Sequence, residues 1–285
     1  MDIDSKQLDR VAEDLGQRDG LFLKRVLSDG LETYRRRLKA IGFDKLESVL
    51  DAGCGFGQWS LALASTARRV EAIDTDETRI RTARRLAEGR ANLNYHVGSL
   101  ETLPFDDETF DGVFCYSVIY YTDVRRSIDE LCRVLRPGGL IYISSNGLGW
   151  YIQNLLMAPN TSSDFHPRLY AIRTMLGSLK YRLLGIPPRD GNSVVTGRRW
   201  LTRKLMSRHV ELIGVGDEGS VSLVKDMKPE AFFRGRYFGL DGVSEWLGRR
   251  TGIASNGEMR TSDAGASRSM NCGRSQGERA RSALR

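Results

Sequence analysis

Three glycines at alternate positions, Gly53, Gly55 and Gly57, follow the run Val49-Leu50-Asp51 and precede a stretch with helical patterning. Glycines let backbone N–H groups approach a ligand closely, and a helix starting behind them adds its dipole. The chemistry this arrangement allows is the seating of a nucleotide-like group. A dinucleotide fingerprint needs a further glycine, at position 58 counting from Gly53 or at 60 counting from Gly55. Gln58 and Ser60 stand there, so a dehydrogenase is disfavoured. Asp74 closes the next apolar run, Ala72-Ile73, seventeen residues after Gly57. A carboxylate at such a strand tip can accept hydrogen bonds from both hydroxyls of a ribose. Asp76 reads instead as the cap of the following helix.

The elements that must position these groups are legible in the hydrophobic pattern. Before residue 46, Leu21, Leu23, Val26, Leu27, Leu31, Tyr34 and Leu38 recur at helical steps, with Arg35 to Arg37 expected on the polar side and Gly42 as terminator. Short apolar runs then alternate with amphipathic stretches. Strands are expected at 48–51, 70–73, 93–97, 110–116 and 140–144, helices at 58–67, 77–88 and 124–135. After Ser145 the alternation is interrupted by two apolar helical faces, one on Leu148, Tyr151, Ile152, Leu155 and Leu156, the other on Leu169, Ile172, Leu176, Leu179 and Leu183. It resumes with a helix at 198–207 and strands near 210–215 and 220–224. The expected class is α/β, a Rossmann-like doubly wound, mostly parallel sheet with N-terminal helices and a helical insertion after the fifth strand. In domain terms this divides into an N-terminal helical cap (1–46), a ligand-binding core (47–146), a helical lid (147–197), the end of the core (198–250) and a tail (251–285).

Length and charge bound the function further. A chain of 285 residues with 40% hydrophobic content supports one generous core. The start, Met1-Asp2-Ile3-Asp4, lacks a basic and apolar leader, and no stretch is apolar over the roughly 20 residues a spanning helix needs, so a cytoplasmic location is expected. The four cysteines, Cys54, Cys115, Cys132 and Cys272, show no metal-ligand or disulfide spacing. The net charge of +7 is unevenly placed: 148–209 holds ten Lys/Arg against two acids, and 251–285 six Arg against three acids. Branched aliphatics nearly vanish in that tail, which reads as disordered.

Four stretches in register carry a resemblance to a known family: VLDAGCGFG (49–57), VEAIDTD (70–76), LPFDDETFDGVF (103–114) and RVLRPGGL (133–140). In order and spacing, over about residues 48–146, the chain resembles the class I S-adenosylmethionine-dependent methyltransferases, particularly the broad group of quinone-biosynthesis and small-molecule enzymes. The resemblance implies that Gly53, Cys54, Gly55 and Gly57 line the methionine portion of S-adenosyl-L-methionine. It implies that Asp51 orders the loop and meets the amino group, that Asp74 and Thr75 face the ribose, and that Ser99 and Leu100 lie against adenine. Ser99 is a departure, since family members commonly carry an acid there; Glu101 is a candidate substitute. Tyr116, Ser117 and Val118 follow the fourth strand, where the transferring methyl lies.

For the acceptor side, His166 in the inserted loop is a candidate general base, and Tyr120 and Tyr121 are candidate pocket residues. His96 and His209 read as structural. An apolar, basic lid around Trp150, Tyr151, Leu155 and Leu156 suits an amphipathic or acidic small molecule, and could also touch an anionic membrane surface. The expected function is small-molecule O-methylation. A nucleic-acid methyltransferase using the basic segment is the alternative, although Cys115-Tyr116-Ser117-Val118 lacks the proline-aromatic tetrad that holds an extruded base. A noncatalytic cofactor-binding or interaction module is the third reading. No metal is expected.

Overall fold

The N-terminal segment folds as three short helices in a computed structural model that describes residues 5–28, 30–157, 166–188, 192–217, 236–237 and 240–252. They are α1 (Ser5–Asp14), α2 (Gly16–Leu27) and α3 (Glu32–Ala40). The leucine pattern survives the breaks: Leu23, Leu27, Leu31, Tyr34 and Leu38 are all buried in one hydrophobic cluster with Phe56, Trp59 and Leu61. The cap therefore packs directly on the first helix after the glycine loop. Only Gly16 and Gly30, both with positive φ, divide what the pattern alone reads as one helical stretch.

The core comprises β1 (Ser48–Ala52), α4 (Gln58–Leu63), β2 (Arg69–Asp74), α5 (Glu77–Leu86), β3 (Leu93–Val97), β4 (Phe110–Tyr116), α6 (Val124–Val134) and β5 (Leu135–Asn146). Then follow α7 (Leu148–Met157), α8 (Pro167–Leu184), α9 (Arg198–Met206), β6 (Val210–Asp217), β7 (Arg236–Tyr237), β8 (Leu240–Asp241) and β9 (Val243–Arg250). The seven-stranded sheet runs β3-β2-β1-β4-β5-β9-β6, and β7 pairs with β8 alone. The first five strands in this order pair in parallel, while β9 is antiparallel to both β5 and β6. This is the doubly wound Rossmann-like sheet expected. Strand order reverses between β1 and β4, so a crevice opens beyond their C-terminal ends, the usual ligand position in such sheets. Two hydrophobic clusters line the faces, one toward α4 and α5 and the other toward α6 and α9.

Several elements differ from the pattern-based expectation for physical reasons. Helix α6 stops at Val134 and the strand begins at once, with Pro137-Gly138-Gly139 inside β5 where the β4 pairing shifts register between Phe110 and Gly112. Strand β9 escapes a periodicity search because Val243 to Gly248 are buried on both faces and include a charged residue, Glu245. That charge is explained by Arg37. Far from sitting on the polar side of α3, Arg37 is buried, bonds Glu245 and Tyr142 Oη, and lies over the rings of Trp59 and Tyr116. A buried carboxylate is tolerated only with such a partner, and removing either partner strands the other charge. The pair ties the N-terminal cap to the late strand across 208 positions of sequence.

The expected strand at 220–224, most of the lid loop before His166, and the tail beyond 252 fall outside the described residues. Cys54, Cys115 and Cys132 are buried free thiols. No helix among the described residues is long and apolar enough to cross a membrane.

Candidate active site

Local geometry at the β1 exit is set by two backbone bonds to β2. Gly53 and Cys54 both donate to the Ile73 carbonyl, at 2.8 and 3.0 Å, which folds the loop over the tip of the neighbouring strand. Gly53 has φ +79°, and a Cβ there would overlap the Val118 side chain. Gly55, at φ +55°, differs: nothing lies within 4 Å of where its Cβ would be. Gly57 is as closely packed, against Tyr95 and Ala83, so Gly55 alone of the three loop glycines faces open space. Helix α4 starts directly after Gly57.

Asp74, only 8% exposed, joins the loop to the next helix. Its Oδ2 accepts from the Gly55 amide and its Oδ1 from the Asp76 amide, each at 3.0 Å. An ionised carboxylate offers about four acceptor positions, so two remain for other donors. Asp76 takes the capping role predicted for it, accepting from the Thr78 and Arg79 amides; such a cap contributes about 1 kcal/mol to its helix. Thr75 between them is exposed.

Among the described residues, Asp51 is a strongly perturbed acid. It is 1% exposed at the end of β1, and Ser60 Oγ donates to its Oδ2 at 2.5 Å. Burial drives its carboxyl up to about 7; the Ser60 bond opposes this and the nearby Asp74 charge adds to it. Burial, reinforced by Asp51 and Asp74, also holds the Cys54 thiol well above its ordinary range. A thiol so held is no nucleophile. The bond from Ser60 to Asp51 has no sequence signal, because it depends on the start of α4 bringing the hydroxyl to the end of β1.

At the adenine end, Ser99 Oγ accepts from the Glu101 amide at 3.1 Å, and Leu100 is buried in the second cluster. Glu101 does not stand free beside them: its Oε1 accepts the Asp123 amide at 2.8 Å, ahead of α6. Arg133 then binds the 103–107 segment, donating to the carbonyls of Leu103 and Phe105 and to Asp107. Arg136 adds bonds to the Glu108 carbonyl and to Asp111, so two guanidiniums hold together the recognisable stretches 103–114 and 133–140.

Beyond β4 the chain turns through Ser117, whose φ of 55° is rare outside glycine, and this places Val118 over Gly53. Tyr116 packs on Trp59 and under Arg37, with ring centroids 5.0 Å apart in the first contact and the guanidinium 5.1 Å from the ring in the second. Tyr120 is buried against Tyr121, and burial lifts its phenol well above the ordinary value. Burial thus favours the protonated phenol at this candidate pocket residue. His166 is exposed at the residue before α8, and no hydrogen bond joins its ring to another described residue. His96 bonds Glu71 at 2.6 Å on the adjacent strand, and His209 turns the chain between α9 and β6 with φ 58°.

A hydroxyl cluster over the tips of β4 and β5 was not foreseen. Ser193 Oγ meets the hydroxyls of Tyr170 and Thr174, each at 2.8 Å, and of Tyr151 at 3.3 Å. Val194 donates to the Tyr120 carbonyl and Val195 to Ser178. A four-residue stretch, 193–196, thereby fastens α7 and α8 to the strand tips. Single serines and threonines in a loop carry no periodic signal, so only the tyrosines at 151 and 170 could have hinted at it.

Residues 50–143 match the family model described as a methyltransferase domain. Over that third of the chain, the sequence is similar to a methyltransferase domain. The glycine loop, Asp74 and the segment after β4 all lie within the matched span. A demethylmenaquinone methyltransferase of Clavibacter sepedonicus is 37% identical over 98 residues, 34% of this chain and 40% of that protein. A ubiquinone biosynthesis O-methyltransferase of Coxiella burnetii is 34% identical over 103 residues, 35% of this chain and 44% of its own length. The chain thus spans less than half the length of these curated relatives, and the likeness lies in the methyltransferase domain. In fold, it is similar to the solved PH0226 protein of Pyrococcus horikoshii, with a TM-score of 0.52 at 20% identity, covering 84% of this chain and 94% of that one.

Proposed function

We propose that this chain transfers the methyl group of S-adenosylmethionine to an oxygen of a small amphipathic or acidic metabolite. The observation that carries the reading is the pairing of Asp74 with Gly55: a nearly buried carboxylate with acceptor capacity left over, holding a loop glycine that faces open space. That pair suits a ribose lying against a backbone with no side chain in its way. Asp51 suits the other end of the cofactor, because a buried acid with a raised pKa gains from an ammonium partner.

Bound S-adenosylmethionine supplies an electrophilic methyl carbon whose departure leaves a neutral thioether. What the chain has to contribute is orientation and exclusion of water, which can account for much of such a rate. Tyr120 and Tyr121, beside the tips of β4 and β5, are proposed to line the acceptor space. An acceptor already ionised at neutral pH, a carboxylate or an acidic phenol, then needs no protein base. His166 remains the proposed proton acceptor for a less acidic hydroxyl. The segment 147–197 is proposed as the lid that encloses this space. Relatives named for quinone and malonyl-carrier-protein methylation support a small organic acceptor.

Calorimetry with S-adenosylhomocysteine tests the cofactor half of this proposal. Asp74→Asn keeps the shape but turns an amide donor toward either the Gly55 or the Asp76 N–H, so affinity should fall by about 1–3 kcal/mol, roughly five- to 150-fold. Native affinity in the variant would move the ribose contact elsewhere. Transfer of tritiated methyl into fractionated lysate tests the acceptor half: label in small metabolites is expected, and label in RNA would replace the proposal with nucleic-acid methylation.

A further inference from the structure

Helix α8 is amphipathic in the inverted sense. Its inward residues are Ala171, Thr174, Ser178 and Tyr181, all buried. Their polar groups are engaged: Thr174 with Ser193, Ser178 with the Val195 amide, and Tyr181 Oη donating to Asp123 at 2.6 Å. The aliphatic side chains point the other way. Leu169, Ile172, Leu176, Leu179 and Leu183 are 45%, 42%, 64%, 55% and 73% exposed. Their spacing of three and four residues puts them within about 80° of one another on a helix turning about 100° per residue, opposite the buried face. An apolar stripe running from Leu169 to Leu183, about 21 Å along the helix, is more than the scattered surface leucines of an ordinary fold.

The charges around the stripe select its occupant. Arg168, Arg173, Lys180 and Arg182 are all exposed on α8, which carries no acid, and α7 beside it carries no charge at all. A second copy laid on this face would bring two basic helices to about 8–10 Å with no carboxylate on α7 or α8 to offset them. A phospholipid surface bearing negative headgroups meets both features, taking the aliphatic stripe into the acyl boundary and pairing the flanking cations with phosphates. We propose that the outward face of α8 docks on an anionic phospholipid surface. The docking stands on this helix alone and does not depend on the methyl acceptor.

Sedimentation of the full chain with vesicles tests it. Binding is expected to vesicles of phosphatidylcholine mixed with phosphatidylglycerol, and to be about tenfold weaker with phosphatidylcholine alone or at high salt. Leu176→Asp combined with Leu183→Asp, and separately Arg173→Glu with Lys180→Glu, should each weaken it by about tenfold or more. All four side chains are exposed, so thermal unfolding should stay native, and circular dichroism checks this. No binding to the mixed vesicles overturns the proposal. So does retention of binding in the Leu176/Leu183 variant, which would move the contact to the arginines beyond residue 250. A native chain that light scattering finds dimeric, and that the same variant renders monomeric, would assign the face to a second copy instead.

Discussion

Asp51→Asn should make the protein more stable at pH 8 while weakening its hold on S-adenosylmethionine. The opposite signs follow from burial. In the unfolded chain this carboxyl loses its proton near 3.8, whereas in the fold it does so at about 7. Between those values the native state binds the extra proton, so stability falls as pH rises from 4 to 7 and is level above. A gap of about three pH units corresponds to about 4 kcal/mol at pH 8. Asparagine keeps an acceptor for Ser60 and carries no charge to desolvate. It adds an amide donor that needs a partner, at about 1–2 kcal/mol, leaving a net gain of about 2–3 kcal/mol. Urea unfolding at pH 4 and pH 8 measures it, and the two proteins should be closest at the lower pH. A variant with the native pH slope would show that Asp51 is ionised throughout this range in the fold. On the binding side, pairing with the cofactor's ammonium needs the carboxylate, so native affinity should improve as pH rises through 7, and the asparagine variant should lose about tenfold and its pH dependence together. Unchanged affinity would confine Asp51 to shaping the loop.

Asp51 also shows which kind of information a sequence carries. Its position before the glycines, the role of Asp76 and the strand-loop-helix order are local matters, decided within about ten residues by turn and capping chemistry. These could be read directly. The features that escaped depend on distant partners. Arg37 looked like one member of a solvent-facing run, and only Glu245 on β9 makes its burial possible. Glu101 looked free to reach the adenine side and is instead spoken for by the Asp123 amide. For α8 the two-faced periodicity is legible in the sequence, and the direction of its faces is not. A leucine stripe normally marks the inner face, but here small and hydroxyl-bearing residues bond inward to Ser193, Val195 and Asp123, and the leucines are left outside. Periodicity shows that a helix has two faces; the hydrogen-bond requirements of the less apolar face decided which was buried.

The second large effect should separate two glycines that the sequence presents as equivalents. Gly53→Ala places a Cβ against Val118 at a backbone position with φ +79°. The left-handed conformation costs about 1–2 kcal/mol for a residue with a Cβ, and the overlap about 1–3 more, so about 2–5 kcal/mol of stability should be lost. Adding Val118→Ala removes the overlapping methyls and should return the overlap part in a double-mutant cycle, leaving the conformational part. Gly55→Ala also carries the conformational cost, at φ +55°, but its new methyl enters open space. Its stability should therefore fall by only about 1–2 kcal/mol. Its affinity for S-adenosylhomocysteine should fall far more than its stability, because the methyl occupies the side of the loop assigned to the ligand. Thermal unfolding and calorimetry on the two single variants decide the matter. If Gly55→Ala binds as the native chain does while Gly53→Ala does not, the ligand lies on the Val118 side of the loop, and the contact assigned to Asp74 has to move with it.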